Sequence, residues 1–221
     1  CKWDEIIPFA PMWAAVKRIL KPRGVFVTTA SQPFTSALIM SNLEMFKYSL
    51  IWKKSKPSNF LNAKNKPMPI HEEVSVFSLG TTANLSENKM TYNPQMKTGT
   101  PYRKKHINDP RVGAWDAGNR KPYLGENINN GTRYPTSVLE YSNGNNFSVH
   151  PTQKPVALYE YLIRTYTNEG DTVLDFCAGS GTTGIAAMNT GRNAILIEKE
   201  PKYFEIAKRR ISEAQPCLIT S

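Results

Sequence analysis

Residues 173–184 (VLDFCAGSGTTG) lead from an apolar segment into a glycine-rich turn and then into a segment of helical character. Gly179 and Gly181 permit a tight turn and let a ligand approach the backbone closely. Glu198 ends the next apolar segment, where a carboxylate can accept hydrogen bonds from both hydroxyls of a ribose. The pattern therefore predicts a nucleoside-binding β-α-β unit.

The position of this unit constrains the fold, because only residues 199–221 follow Glu198. Gly179, Gly181 and Gly184 also fit the dinucleotide pattern G-x-G-x-x-G, which alone is weak. A nicotinamide-dependent oxidoreductase builds most of its sheet after such a loop, so the position disfavours that class. Here most of the sheet precedes the loop, which predicts a permuted strand order and a sheet that begins before Cys1.

Hydrophobic periodicity predicts alternating helices and strands at both ends of the chain. The predicted helices cover residues 8–20, 33–42, 155–166, 182–189 and 201–211, and the predicted strands cover residues 25–29, 48–52, 73–79, 172–177 and 194–197. Such alternation favours an α/β protein with a parallel sheet.

Residues 81–149 differ from both ends in composition. They are rich in asparagine and glycine, lack hydrophobic periodicity, and interleave basic residues with tyrosines and Trp115. Loops this long inside a compact domain are usually functional or disordered. We therefore divide the chain into residues 1–80, 81–149 and 150–221.

Overall charge and cysteine usage limit the partners and the compartment. The formal net charge is +10, which favours a polyanionic partner such as DNA or RNA, although many basic proteins bind neither. Cys1, Cys177 and Cys217 match no zinc-binding spacing, so a reducing intracellular compartment is the simplest interpretation. The absence of a long apolar run predicts no membrane span.

Two motifs resemble a known family. Residues 175–183 (DFCAGSGTT) resemble the D-P-F-x-G-S-G-T-T cofactor loop of the permuted, β-group amino-methyltransferases, with Phe176-Cys177 where that family has Pro-Phe. Residues 150–155 (HPTQKP) resemble the family's H-P-T-Q-K-P motif. This segment also fits a plain helix N-terminus, with Thr152 as its cap and Pro155 in the first turn.

The upstream half agrees with the resemblance. Residues 2–4 (KWD), 21–24 (KPRG), 62–64 (NAK) and 71–72 (HE) resemble segments of the same group. Residues 81–149 fall where that group has its target-recognition region. The family's catalytic motif, D-P-P-Y or a variant such as S-P-P-Y, does not occur in the 221 residues. The resemblance places it just upstream of Cys1, so the 221 residues alone are expected to be inactive.

The resemblance implies a permuted Rossmann-like class I methyltransferase with an inserted, loop-rich recognition region. The implied cofactor is S-adenosyl-L-methionine, contacted by Asp175, Phe176, Ala178, Gly179, Ser180, Gly181, Thr182, Glu198, Lys199, Thr152, Gln153 and Lys154. The implied partner is double-stranded DNA, with Arg103, Lys104 and Lys105 as the candidate phosphate-contacting cluster.

The implied reaction is methylation of the N6 amine of adenine after the base is flipped out of the duplex. N4 methylation of cytosine is the alternative, and a DNA-binding protein without catalysis is the rival from another class. The resemblance further predicts a cytoplasmic, bacterial or phage-encoded enzyme that is a monomer or a homodimer.

Overall fold

The computed structural model describes residues 6–105, 126–143 and 153–214. The chain divides into a larger unit, Cys1–Asn93 with Thr136–Ser221, and a smaller unit, Pro94–Pro135. Residues 81–93 and 136–143, which belong to the region predicted for target recognition, thus fold with the larger unit. Met90, for example, is only 4% exposed in its core, and the backbone N–H of Thr91 donates to the carbonyl of Arg23 at 2.9 Å.

All ten predicted elements are present, with bounds that agree to within one or two residues. The helices are α1 (Phe9–Ile19), α2 (Phe34–Met40), α3 (Val156–Tyr166), α4 (Thr182–Asn189) and α5 (Pro201–Glu213). The strands are β1 (Val25–Ala30), β2 (Phe46–Lys53), β3 (His71–Ser78), β4 (Lys97–Thr98), β5 (Tyr102–Lys105), β6 (Glu126–Asn129), β7 (Thr132–Arg133), β8 (Val138–Glu140), β9 (Thr172–Asp175) and β10 (Asn193–Leu196).

The main sheet has the order β1-β3-β2-β8. Strand β3 runs antiparallel to both β1 and β2, whereas β2 and β8 are parallel. The prediction of a parallel sheet is therefore wrong for β3. The connection from β2 to β3 contains only a three-residue 3-10 helix, Phe60–Asn62, and a parallel pair needs a longer crossover, usually a helix.

The glycine loop belongs to a separate pair of strands. β9 and β10 pair in parallel, with Leu174 opposite Ile195 and Asp175 opposite Leu196. Helix α4 makes the crossover between them, as the β-α-β pattern predicted. Within the described ranges, no helix combines the length and apolarity that are needed to cross a membrane.

Strand β3 lies at the centre of the core and is buried on both faces. On one face Phe77 packs with Trp13 and Val16, which are presented by α1. On the other face, Val74 and Val76 pack against α3. The sheet is therefore covered by helices on two sides, which is the layering of α/β proteins.

Helix α3 connects the main sheet to the β9-β10 pair. Its Leu158 and Leu162 belong to the sheet core, and its Ile163 packs on Ala186 and Ala187 of α4. These contacts place the start of α3, and with it the end of the HPTQKP segment, beside the glycine turn.

Two contacts show that β1 and β9 run in the same direction. Lys21, just before β1, forms a 2.9 Å ion pair with Asp171, just before β9. Near the other ends, the phenol of Tyr159 interacts electrostatically with both the side chain of Thr29 in β1 and the carboxylate of Asp175 at the end of β9. The carboxyl ends of these strands therefore share one edge, which is where α/β proteins bind ligands.

Candidate functional site

Asp175, the last residue of β9, shapes the glycine turn. Its Oδ1 accepts a hydrogen bond from the backbone N–H of Cys177 at 3.0 Å. Its Oδ2 accepts the hydroxyl hydrogen of Thr183 in the first turn of α4. Because one carboxylate holds both sides of the turn, Asp175 fixes the path of the backbone that any ligand would meet.

The glycines of the turn allow both an unusual backbone conformation and close packing against neighbouring elements. Gly179 and Gly181 have φ values of 51° and 79°, a region that favours glycine. A Cβ on Gly181 would lie 2.9 Å from the Cβ of Ala207, and one on Gly184 would lie 2.7 Å from Ile211. The space beside Gly181 is therefore occupied by α5, and the space beside Gly184 is occupied by α5 and by Leu196 of β10.

Glu198 lies against the turn. Its Oε2 accepts the backbone N–H of Gly179 at 2.7 Å, and its Oε1 accepts that of Glu200 at 2.9 Å. A carboxylate has about four acceptor sites, so capacity remains for the hydroxyls of a bound nucleoside. Lys199, the next residue, is exposed.

The HPTQKP segment reaches the turn through Gln153. Its Oε1 accepts the hydroxyl hydrogen of Ser180 at 3.2 Å, and Ser180 is only 3% exposed. Thr152, the other predicted contact of this motif, lies outside the described residues together with His150 and Pro151.

Lys154 makes a contact that the sequence did not predict. Its Nζ lies 3.0 Å from Glu72 Oε2, while Lys54 Nζ lies 2.6 Å from the other carboxylate oxygen. The three side chains are only 13–17% exposed, and both ammonium groups lie over the ring of Trp52, at 5.3 and 5.8 Å from its centroid. The triad carries one net positive charge and ties the start of α3 to β2 and β3.

The electrostatic balance of the triad favours an ionised Glu72. Burial by itself would raise the pKa of this carboxyl, but Lys154 and Lys54 together outweigh that effect and lower it. Residues 71–72 resembled a segment of the amino-methyltransferases, but the sequence did not predict that Glu72 pairs with Lys54 and Lys154.

One further residue, Arg210, contacts the turn and was missed by the sequence interpretation. Arg210 of α5 donates to the hydroxyl of Ser180 at 2.8 Å and to the carbonyl of the same residue. Burial lowers the pKa of Arg210. Phe176 was predicted to bind the cofactor, and its ring stacks on Phe26 at a centroid distance of 6.1 Å. The only sequence signal for Arg210 was its place on a closing amphipathic helix.

The carboxylates of Asp175 and Glu198 both lie at the turn. Burial raises the pKa of the Cys177 thiol, and the charges of Asp175 and Glu198 raise it further. Arg210 is already bonded to Ser180. This arrangement is unfavourable for a pyrophosphate and favourable for a nucleoside that carries positive charge.

The predicted phosphate-contacting cluster lies in the smaller unit. Arg103 and Lys104 are adjacent residues of β5, so their side chains project from opposite faces. Arg103 also forms a 3.4 Å ion pair with Glu126. The backbone of Lys105 pairs with that of Glu126, and its side chain lies outside the described part. Of these three candidates, the two whose side chains are described, Arg103 and Lys104, therefore lie on opposite faces of β5.

Comparisons with known proteins identify relatives of this chain. A family model described as DNA methylase matches residues 3–209. The type II methyltransferase M.HinfI of Haemophilus influenzae is 29% identical over 97% of this chain and 55% of its own length. The type II methyltransferase M2.MboI of Moraxella bovis is 48% identical over 69 residues, which are 31% of this chain and 25% of that protein. The chain therefore spans about half of the first relative's length and matches a quarter of the second.

Solved structures show the same fold. The crystal structure of an M1.HpyAVI-SAM complex has a TM-score of 0.58 and 26% identity, covering 93% of this chain and 85% of that one. PvuII DNA methyltransferase, described as cytosine-N4-specific, has a TM-score of 0.61 and 18% identity, covering 91% and 70%. These likenesses confirm the predicted Rossmann-like α/β fold.

Proposed function

Since this chain belongs to the DNA methylase family, which comprises the N6 and N4 amino-methyltransferases of the β class, we propose that the whole protein methylates an exocyclic amine of a base in double-stranded DNA. The proposed methyl donor is S-adenosylmethionine, and the preferred acceptor is the N6 amine of adenine. The N4 amine of cytosine is the alternative acceptor.

One observation carries the choice of cofactor: two carboxylates, Asp175 and Glu198, flank the glycine turn. Burial and then these two charges raise the pKa of the Cys177 thiol, and the charges would repel a dinucleotide pyrophosphate. They suit S-adenosylmethionine, which has a cationic sulfonium and no phosphate. When bound, this cofactor supplies an electrophilic methyl group.

The residues around the turn would bind and orient the nucleoside part. Glu198 would accept hydrogen bonds from the ribose hydroxyls, while Gly179 and Ala178 offer backbone at close range. Asp175 and Arg210 contribute indirectly, because they hold the turn in shape through Thr183 and Ser180. Gln153 and Lys154 would lie at the methionine end of the cofactor. The ammonium group of Lys154 is also paired with the carboxylate of Glu72.

Catalysis in this proposal depends mainly on positioning, because the amine attacks the methyl group directly and no covalent intermediate is needed. No x-Pro-Pro-Tyr tetrapeptide occurs in the 221 residues, and we propose that the amine-holding motif belongs to a part of the whole protein outside these residues, since the chain covers 55% of the length of M.HinfI.

Methyl transfer from labelled S-adenosylmethionine to unmethylated DNA by the full-length protein tests the proposal. Hydrolysis of the DNA to nucleosides then separates N6-methyladenine from N4-methylcytosine. Cofactor binding without transfer would favour a DNA-binding protein without catalysis. Competition by NADH would instead indicate an oxidoreductase.

A further inference from the structure

The loop between β2 and β3, residues 54–70, is an exposed surface that the cofactor site does not use. Every residue from 55 to 70 is exposed, and the tip presents Phe60 and Leu61, which are 75% and 82% exposed. Two adjacent apolar side chains at this exposure lose contact with water only when a partner covers them.

The loop has an ordered backbone despite its exposure. At its base, the backbone N–H of Lys54 donates to the carbonyl of Ile70 at 2.8 Å, and that of Ser58 donates to the carbonyl of Pro69 at 3.0 Å. At its tip, the backbone N–H of Ala63 donates to the carbonyl of Phe60 at 3.0 Å. The apolar pair is therefore presented on a formed turn.

Contacts outside the loop fix its direction. The backbone N–H of Lys56 donates to Asn143 Oδ1, and the amide of Asn143 donates back to the carbonyl of Lys56, both at 3.1 Å. Ser55 also bonds Asn143 at 3.1 Å. These bonds hold the first residues of the loop against the segment that follows β8.

Charge indicates the chemistry of the partner. Residues 54–70 contain four lysines and neither aspartate nor glutamate. The four are Lys54, Lys56, Lys64 and Lys66; Lys54 is paired with Glu72 and poorly exposed, whereas Lys64 and Lys66 flank the apolar tip on its C-terminal side. The loop therefore presents Phe60 and Leu61 beside lysines and without a carboxylate. Such a surface fits a polyanion with apolar faces, and nucleic acid has both, since its apolar bases stack between phosphates.

Position supports the same partner. The loop starts at Lys54, at the carboxyl end of β2, and Lys54 and Lys154 share the carboxylate of Glu72. Lys154 belongs to the segment that contacts the glycine turn through Gln153. The loop therefore leaves the sheet at the edge where the proposed methyl donor binds.

We propose that residues 54–70 form a second DNA-contacting surface, in which Phe60 and Leu61 wedge between bases beside the target and Lys64 and Lys66 contact the flanking phosphates. This inference rests on the proposed function, since it assumes that duplex DNA is the substrate. Apolar wedges of phenylalanine and leucine are a common means of unstacking a base step. Extrusion of a target base requires such unstacking.

Binding of fluorescein-labelled, PCR-amplified duplex DNA to the full-length protein, followed by anisotropy at several salt concentrations, tests the wedge. The double variant Phe60→Ala/Leu61→Ala should lose roughly ten-fold in affinity with an unchanged salt slope, as expected for lost base contacts. Lys64→Ala/Lys66→Ala should reduce the salt slope by about 1.8, as expected for two phosphates.

Leu85→Ala is the matched control, because Leu85 is 96% exposed on another loop of the same unit. S-adenosylmethionine affinity and thermal midpoint should match those of the unsubstituted protein in all three variants. If the unsubstituted protein binds no DNA, the proposed function fails and this inference with it. If it binds DNA and Phe60→Ala/Leu61→Ala binds equally well, this inference alone is overturned.

Sedimentation of the same samples tests whether a second copy of the chain, and not DNA, covers Phe60 and Leu61. A dimer that dissociates in Phe60→Ala/Leu61→Ala while DNA affinity is unchanged would show that a second copy of the chain covers the tip, and would overturn the proposal.

Discussion

Glu198 Oε2 accepts a 2.7 Å hydrogen bond from the backbone N–H of Gly179, which joins the glycine turn to the end of the neighbouring strand. The residue proposed to bind the ribose therefore also shapes the turn beside it. A substitution at this position should affect ligand contact and local geometry together.

Glu198→Ala should weaken S-adenosylmethionine binding by about 1–3 kcal/mol, because ribose hydroxyls and the N–H of Gly179 would lose an acceptor. Glu198→Gln keeps an acceptor oxygen and should cost less. Titration calorimetry measures both, with Glu205→Ala on the exposed face of α5 as the control. Unchanged affinity in Glu198→Ala would show that the ribose lies elsewhere.

Gly181→Ala should destabilise the protein through backbone strain and contact with α5. Gly170 provides a matched control, because both residues have a φ of 79°, but a Cβ on Gly170 would meet nothing within 4 Å. We expect Gly170→Ala to cost about 1 kcal/mol from strain and Gly181→Ala about 2–4 kcal/mol, measured by urea unfolding. Equal costs would argue against the α5 contact.

Glu72→Gln should destabilise the protein by about 1–3 kcal/mol at neutral pH, because two poorly exposed lysines would lose their shared carboxylate. The pKa of Glu72 is lowered from its usual 4.5 on folding. Its stabilising contribution is therefore present above that value and is lost as the pH falls through the folded pKa.

The difference in unfolding free energy between the unsubstituted protein and Glu72→Gln should accordingly shrink as the pH falls below about 4.5. Glu44→Gln is the control, since Glu44 forms a 3.2 Å ion pair with Lys17 and its side chain is 83% exposed. An exposed pair contributes at most about 1 kcal/mol. A pH-independent difference for Glu72→Gln would contradict the assigned charge.

Cys177 should react slowly with iodoacetamide at neutral pH, because its raised pKa leaves little thiolate. In a Cys1→Ser/Cys217→Ser background, alkylation should accelerate only above about pH 9, and Glu198→Gln should accelerate it at lower pH by removing a negative charge. Bound S-adenosylmethionine should protect the thiol. Rapid labelling at pH 7 would contradict the raised pKa of the thiol, and equal labelling rates in Glu198→Gln would contradict a contribution of the Glu198 charge.

Local patterns in the sequence determined much of this protein. The glycine turn, Glu198 and the periodicity of the flanking elements are set by residues close in sequence, so each β-α unit was predictable with its bounds. The two motifs that resembled the β-group amino-methyltransferases also predicted the family, which a family match over residues 3–209 confirms.

The tertiary structure decided what depends on distant residues. The antiparallel course of β3 follows from a connection without a crossover helix. The Lys54–Glu72–Lys154 triad joins three separate segments, and Ala207 of α5 occupies the space beside Gly181. No spacing rule reports such contacts, because the side chains meet only after the sheet and its covering helices pack together.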